Sequence, residues 1–213
     1  MAFSTPFTTD CRRCERLHDF LQATKQKHPD YYCKPVPSFG PADARLLIVG
    51  LAPGLHGANA TGRPFTGDYA GVLLYETLFE HGFANRRESV AVDDGLQLRD
   101  CRITNAVRCV PPGNKPVAEE INNCNPYLAR ELASVPDRGV VLALGAIAHK
   151  AVVRALAMRQ KDYPFSHAGR GVLDRGITLV DSYHCSRYNT QTRRLTPSMF
   201  DSVFKDIRAI LAR

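Results

Sequence analysis

The sequence predicts an α/β protein built on a central four-stranded parallel sheet with helices on both faces. Four short apolar segments alternate with segments of helical periodicity, and this alternation is typical of parallel sheets. The third apolar segment, residues 139–145, carries no polar side chain, which indicates a strand buried on both faces. Residues 1–213 are predicted to form one domain, because the chain has ordinary domain length and no internal repeat.

The first half of the chain is predicted to hold two helices and the first strand. A CxxC pair at residues 11–14 stands at the start of a helical pattern, and the proline-rich residues 34–41 then form an extended connector. The first strand, residues 45–49, runs into a long glycine-rich loop. The helix after that loop covers residues 72–79 and is expected to end at Gly82.

The second half is predicted to alternate three strands with three helices. In order, these are a strand at 101–107, a helix at 117–132, a strand at 139–145, a helix at 146–159, a strand at 177–183 and a helix at 197–211. Proline removes a backbone donor, so Asn125 and Pro126 are expected to break or kink the first of these helices.

The net positive charge favours a polyanionic partner, although on charge alone a soluble domain with a positive surface and no such partner explains it as well. Lysine and arginine number 28 against 21 acidic residues, which gives a formal charge of +7 and a pI near 9.2. The first thirty residues show no apolar signal segment, and no stretch approaches the roughly 20 apolar residues that a membrane span needs. We therefore expect a cytoplasmic protein without a membrane partner.

Three polar loops follow the predicted strands. The first, residues 50–68, is rich in glycine and carries Phe65 and Asp68 near its end, while Asn105 and His184 follow two other strands. The carboxyl ends of parallel strands share one edge of a sheet, so these side chains are predicted to form a site there. Each also has a structural explanation: Asp68 as a helix N-cap, Asn105 as a turn former and His184 as a satisfied core histidine.

The chain contains seven cysteines, which are not expected to form a disulfide framework in a reducing compartment, and their odd number would leave one unpaired. The CxxC pair, together with Cys109 and Cys124, could supply four thiolates to a zinc ion or to an iron–sulfur cluster, and spacing does not distinguish the two. The remaining cysteines lack such a pattern and are interpreted as small buried apolar residues: Cys33, Cys101 and Cys185.

Five motifs in register resemble one family. They are GLAPG at 50–54, GRPFTGD at 62–68, TNAVRC at 104–109, PPGNKP at 111–116, and HCSRYN at 184–189. In order and spacing they resemble the iron–sulfur uracil-DNA glycosylases, and within them the branch called family 5 or type b. The resemblance covers nearly the whole chain.

The resemblance implies a three-layer α/β/α domain whose N-terminal segment contributes to a 4Fe-4S site, with Cys11, Cys14, Cys109 and Cys124 as ligands. It implies a monomeric DNA repair enzyme that flips a damaged base out of single- or double-stranded DNA and hydrolyses its bond to deoxyribose. The expected product is an abasic site. No lysine stands in the three loops, so neither Schiff-base chemistry nor strand cleavage is expected.

The implied roles follow from the charges of the reaction. Asp68 would activate water and favour the cationic sugar, His184 would donate to uracil O2, and Asn105 would read the N3 and O4 edge. Phe65 would stack on the extruded base. Further contacts to the base and the phosphates would come from Leu51, Ala52, Pro53, Gly54, Ser186, Arg187 and Asn189.

One position departs from the sister branch, in which an acidic residue follows the first glycine of GLAPG. Here that residue is Leu51, which cannot hydrogen-bond through its side chain, so we expect hypoxanthine and modified pyrimidines to be accepted as well as uracil. A competing interpretation is a non-enzymatic iron–sulfur protein that binds nucleic acid and senses redox state. It leaves unexplained why Asp68, Asn105 and His184 follow three separate strands. A nucleotide hydrolase fits less well, because the glycine loop lacks a phosphate-binding lysine.

Overall fold

The computed structural model describes residues 6–213, which form a five-stranded sheet between two layers of helices. The strands are β1 (Leu46–Gly50), β2 (Cys101–Asn105), β3 (Val140–Leu144), β4 (Arg170–Val172) and β5 (Thr178–Ser182), in the spatial order β2-β1-β3-β5-β4. Strands β2, β1, β3 and β5 are parallel, which confirms the predicted α/β class and its parallel sheet.

The edge strand β4 is not predicted by the sequence. It pairs antiparallel with β5, from Arg170 opposite Val180 to Val172 opposite Thr178. Its three residues include a glycine and two exposed side chains, so they carry no apolar pattern that would mark a strand. Very short strands of this kind are common at sheet edges, where they limit pairing with other chains.

The helices are α1 (Glu15–Lys27), α2 (Ala58–Thr61), α3 (Tyr69–Glu80), α4 (Ala118–Ser134), α5 (Ala146–Ala155), α6 (Arg187–Gln191) and α7 (Pro197–Leu211). The expected break at Pro126 is absent, because α4 continues through it. Pro126 and Asn122 are both exposed, so water can hydrate the carbonyl that proline leaves without a helical donor. Within residues 6–213, no helix combines the length and apolar character required to cross a membrane.

Both faces of β1 are apolar, as expected for a strand at the centre of a covered sheet. Leu46 and Ile48 belong to a core shared with α3 and α7, whereas Leu47 and Val49 belong to a core shared with α4 and α5. A third apolar cluster packs α1 against α4 and against the segment that follows β2. The parallel strands therefore all end at one edge, and α1 is fixed beside that edge.

Candidate active site

The carboxyl ends of the parallel strands open onto a cleft of about 480 Å³. The three side chains predicted to be catalytic, Asp68, Asn105 and His184, all line this cleft. They come from separate elements, since Asp68 precedes α3, Asn105 ends β2 and His184 follows β5. The sheet thus brings together residues that lie far apart in the sequence.

Most of the residues predicted to contact substrate also line the cleft: Leu51, Ala52, Gly54, Phe65, Ser186 and Arg187. Pro53 and Asn189 are not among its lining residues. Asn189 instead donates from Nδ2 to the carbonyl oxygen of His184 at 2.8 Å, so it fixes the backbone of that histidine. The cleft is completed by residues that were not predicted to contact substrate, among them Tyr69, Asn114 and Ile147.

Asn114 reaches the cleft from the loop between β2 and α4. Residues Pro112–Asn114 form a 3-10 turn, in which Gly113 and Asn114 have positive φ angles of 61° and 58°. Asparagine adopts this conformation more readily than most residues. The Pro-Gly-Asn sequence signals a turn, but it contains nothing that shows the turn leaning over the cleft.

Asp68 both caps α3 and faces the cleft. Its Oδ1 accepts a hydrogen bond from the Gly71 amide at 3.0 Å, which confirms the structural role expected of an aspartate before a helix. Its Oδ2 faces two glycines, because a Cβ added to Gly57 or Gly54 would lie 2.6 or 3.3 Å from that oxygen. Burial raises the pKa of the Asp68 carboxyl, and the amides of Gly71 and Ala70 partly oppose this effect. One carboxylate oxygen is therefore committed to the helix, and the other has space beside it.

Asn105 and Phe65 lie side by side where Gly50 leaves room for them. A Cβ added to Gly50 would lie 2.4 Å from Asn105 Oδ1 and 2.7 Å from Phe65 Cζ. Asn105 is 4% exposed, and its Oδ1 has no hydrogen-bond partner among the described residues. A buried acceptor left without a partner typically costs about 1–3 kcal/mol. A ligand that brings a donor to this oxygen would recover that free energy.

His184 packs against Phe65, with ring centroids 5.9 Å apart and the ring planes inclined by 27°. Among the described residues its ring nitrogens have no hydrogen-bond partner, so the side chain is available to a ligand in the cleft. Burial of the ring lowers the pKa of His184 to about 4. The imidazole is therefore neutral near pH 7 and holds one N–H and one lone pair.

A buried ion pair holds the segment that carries Phe65 and Asp68. Phe65 has a φ of 54°, which is rare for a bulky residue and costs on the order of 1–3 kcal/mol. Two residues earlier, Arg63 donates to both carboxylate oxygens of Asp94 at 3.0 and 2.5 Å, and from Nε to Thr66 Oγ1 at 2.9 Å. Paired guanidinium and carboxylate groups of this geometry are strong and directional. They keep the strained loop in its cleft-facing conformation.

The four cysteines predicted to act together converge on a second, smaller cavity. Cys11, Cys14, Cys109 and Cys124 all line it, although they come from the segment before α1, the segment after β2, and α4. Burial raises the pKa of Cys124 to about 11. A hydrogen bond from the Arg108 amide opposes this effect, and the nearby Cys14 and Cys11 add to it. Within residues 6–213, no group of three or more His, Cys, Asp or Glu side chains is arranged to hold a metal ion.

The remaining cysteines lie outside this cavity. Cys33, Cys101 and Cys185 have relative exposures of 5%, 0% and 0%, which confirms that they are small buried residues. Cys101 and Cys185 belong to the core shared with α3 and α7, and Cys33 packs in the cluster around α1. Their thiols are shielded from solvent by this packing.

The comparisons with known proteins agree on one superfamily. The family model described as the uracil DNA glycosylase superfamily matches residues 37–208. The chain is similar to the type-5 uracil-DNA glycosylase of Thermus thermophilus, with 42% identity over 95% of this chain and 94% of that protein. It is 41% identical to the type-5 uracil-DNA glycosylase of Mycobacterium leprae over 94% of this chain and 91% of that protein. A type-4 uracil-DNA glycosylase of Pyrobaculum aerophilum is 34% identical over 68% of this chain and 67% of that protein.

Proposed function

The chain belongs to the uracil-DNA glycosylase superfamily and to its type-5 branch, and on that premise we propose that it hydrolyses the bond between uracil and deoxyribose in DNA. The observation that carries this proposal is the convergence of Asp68, Asn105 and His184 in the cleft at the carboxyl edge of the sheet. The reacting bond is inaccessible within a base stack, so the base must be flipped out into that cleft. The formal charge of +7 is compatible with binding to the negatively charged phosphate backbone of DNA.

Cleavage of the glycosidic bond places positive charge on the sugar and negative charge on the departing uracil. The Asp68 carboxylate favours the cationic sugar, and its Oδ2, with the space left by Gly54 and Gly57, can orient a water molecule. His184 donates its N–H to uracil O2 as negative charge develops there. Burial keeps this imidazole neutral, so its N–H can stabilise the leaving group as a hydrogen-bond donor and no proton transfer is required.

Recognition of the base falls to Asn105 and Phe65. The buried Oδ1 of Asn105 can accept from uracil N3–H, and the amide nitrogen of the same side chain can donate to O4. Phe65 provides an aromatic wall against which the flipped base stacks. Backbone amides near Gly54, together with Ser186 and Arg187 at the mouth, would contact the phosphates beside the lesion.

We extend the proposal to a wider set of bases and to a monofunctional reaction. Leu51 lines the cleft with a side chain that cannot hydrogen-bond, so the cleft should discriminate less between bases than a cleft with an acidic residue at this position. Hypoxanthine and modified pyrimidines are therefore candidate substrates. None of the lining residues is a lysine, which supports hydrolysis without a covalent amine intermediate. Hydrolysis would leave an abasic site, and we further propose that the enzyme acts as a monomer.

The purified chain is expected to release free uracil from a labelled duplex and to leave the strand intact until alkali is added. Strand nicking without alkali would contradict the monofunctional reaction. If the protein binds DNA tightly but releases uracil from neither single- nor double-stranded DNA, the alternative of a nucleic-acid-binding iron–sulfur sensor would be favoured. A duplex with thymine in place of uracil serves as the matched control.

We also propose that Cys11, Cys14, Cys109 and Cys124 hold a 4Fe-4S cluster. Four thiols around one cavity form a soft donor set that suits zinc or iron and sulfide. The donor set suits either cofactor, and the resemblance of the chain to the iron–sulfur branch supports the cluster. When bound, it would tie α1, α4 and the segment after β2 together.

The cofactor proposal is tested by colour and composition. Protein purified without oxygen should be brown and should contain iron and acid-labile sulfide in equal amounts. Replacing Cys109 by serine should remove the colour while leaving the cysteine-free cleft in place. Stoichiometric zinc in colourless protein would contradict the cluster and leave the glycosylase proposal standing.

The fall of kcat at low pH, the acid limb of its profile, should reflect protonation of Asp68. Burial raises the pKa of Asp68 above its ordinary value, whereas His184 stays neutral until the pH falls to about 4. Activity should be complete well above the Asp68 pKa and be lost as the pH falls through it, because protonation removes the charge that favours the sugar cation. In His184→Asn, which keeps a donor but cannot titrate, the plateau should fall while the limb stays at the same pH. If the limb disappears in this variant, the ionisation belongs to His184 instead.

Replacing Gly57 by alanine is expected to displace Asp68 and slow the reaction. The added Cβ would lie 2.7 Å from the Cβ of Asp68, closer than two carbon atoms can pack, so the aspartate must move. A misplacement of about 1 Å at a reacting group can cost about 10²-fold in rate, and we expect a loss of that order in single-turnover assays. The matched variant Gly54→Ala, with a contact of 3.3 Å to Oδ2, should lose less. Equal losses in the two variants would show that crowding of Asp68 is not the cause.

A further inference from the structure

Arg108 is buried beside the cavity that the four cysteines line. It is 2% exposed, it lines that cavity, and its Nε has no hydrogen-bond partner among the described residues. The guanidinium carbon lies 4.8 Å from the centroid of the Phe7 ring, which covers one of its faces. Burial of an arginine to this degree is rare unless its charge is compensated.

The protein compensates only part of that charge. Glu131 accepts from Arg108 Nη2 at 3.0 Å, but it also accepts from Arg102 Nε at 2.5 Å. Two guanidiniums therefore share one carboxylate. The other buried carboxylate near the cysteines, Glu120, is paired with Arg16 at 2.7 Å and does not serve Arg108. The guanidinium of Arg102 is partly exposed to water, whereas that of Arg108 is buried, so an anion in the cavity that Arg108 lines would offset the remaining positive charge.

Donor groups surround the cysteine sulfurs in the same region. Asn123 Nδ2 donates to Cys14 Sγ at 3.5 Å, and the hydroxyl group of Tyr127 lies 3.5 Å from Cys11 Sγ. Both residues line the cavity with Arg108. Hydrogen bonds and nearby charge are the features by which proteins stabilise thiolates and tune the clusters that thiolates bind.

We infer that Arg108 is the buried counter-charge of the four-thiolate cluster and that Arg108 and Glu131 together set its reduction potential. The inference rests on the proposed 4Fe-4S cofactor. Four thiolates contribute more negative charge than the iron–sulfide core contributes positive charge, so the complete cluster is an anion. A fixed cation beside it favours the state with one more electron and raises the potential, while the Glu131 carboxylate acts in the opposite direction.

The test is a spectroelectrochemical titration of the cluster-loaded protein, in which an electrode supplies the electron and visible absorbance reports the oxidation state. At the wild-type midpoint, Arg108→Met should lower the ratio of reduced to oxidised cluster by about tenfold, which corresponds to about 59 mV for a one-electron couple. Glu131→Gln should shift the potential in the positive direction. Arg102→Met removes the same charge from a residue that does not line the cavity, so its shift should be smaller. Arg108→Lys should stay near the wild-type value.

If Arg108→Met and Glu131→Gln shift the reduction potential in opposite directions, the effect is electrostatic and is not a general disturbance of the site. Shifts of the same sign, no shift in either, or equal shifts in Arg108→Met and Arg102→Met would overturn the inference. If Arg108→Met retains no cluster, the positive shift of Glu131→Gln and the wild-type potential of Arg108→Lys decide instead. A wild-type protein without any cluster would overturn the cofactor proposal and this inference with it, and uracil release would still test the glycosylase proposal separately.

Discussion

Asp68→Asn is expected to lower kcat by about 10²- to 10⁴-fold on every base that the enzyme removes, with little change in stability. In the proposed mechanism the carboxylate acts on the sugar and the water, which are common to all substrates, so the loss should not depend on the departing base. The fold should tolerate the change because asparagine is as good an N-cap as aspartate, and its side-chain oxygen can still accept from the Gly71 amide. Burial raises the pKa of the Asp68 carboxyl, which means that it disfavours the charged form, so removing this charge should not lower the free energy of unfolding.

Single-turnover rates on uracil and hypoxanthine duplexes, with thermal unfolding of each variant, test this expectation. Asp68→Ala provides the matched control, since it loses both the charge and the helix cap. It should show the same loss of activity as Asp68→Asn and an additional loss of about 0.5–2 kcal/mol in the free energy of unfolding. A variant Asp68→Asn that loses uracil excision but keeps hypoxanthine excision would show that the carboxylate reads the base and does not serve the common chemistry.

The parts of the fold that depend on local sequence could be predicted. The apolar residues 139–145 mark β3, and the proline at position 197 marks the start of α7, because both signals act within one element. The strand β4 and the unbroken α4 depend on tertiary context. β4 exists because β5 offers an edge for pairing, and α4 tolerates Pro126 because the residue faces water while Tyr127 and Leu128 pack in the interior.

The same division applies to the site. Parallel strands end at one edge, so the positions of Asp68, Asn105 and His184 after three strands suffice to predict that they meet. Asn114 and the Arg63–Asp94 pair could not be predicted in this way, because a turn signal does not reveal which cleft the turn covers and sequence separation hides the ion pair. The convergence of the four cysteines could be expected from their number and type, whereas the surplus charge of Arg108 appears only when Glu131 and Arg102 are seen together.

Of the two interpretations of Asp68 in the sequence, the helix cap is confirmed by the structure, and the proposed catalytic role belongs to the same side chain. The cap fixes Oδ1 on the amide of Gly71 and in doing so orients Oδ2 toward the glycines. A catalytic group held by the start of a rigid helix needs little reorganisation during the reaction. The helix cap would thus position the carboxylate for the chemical role that we propose.

Asn105→Ala is expected to lower uracil excision by about one to two orders of magnitude and to leave hypoxanthine excision near its wild-type rate. In uracil the N3 and O4 edge belongs to the ring that is bonded to the sugar. In hypoxanthine the equivalent N1 and O6 edge belongs to the second ring and lies farther from the sugar. If the sugar carbon takes the same place beside Asp68 with either base, one buried amide cannot meet both edges, so the loss of its hydrogen bonds should fall on uracil.

The free enzyme already leaves Asn105 Oδ1 without a partner, so its removal deletes an uncompensated buried acceptor. The unfolding midpoint of Asn105→Ala should therefore change less than truncation of a bonded core residue would require. Single-turnover rates on the two duplexes, measured beside that midpoint, separate base reading from folding. Equal losses on uracil and hypoxanthine in a stably folded variant would mean that Asn105 serves a step common to both bases, such as orienting the water or the sugar. In that case the base edge would have to be read by another group of the cleft, of which Asn114 is the amide nearest in chemistry.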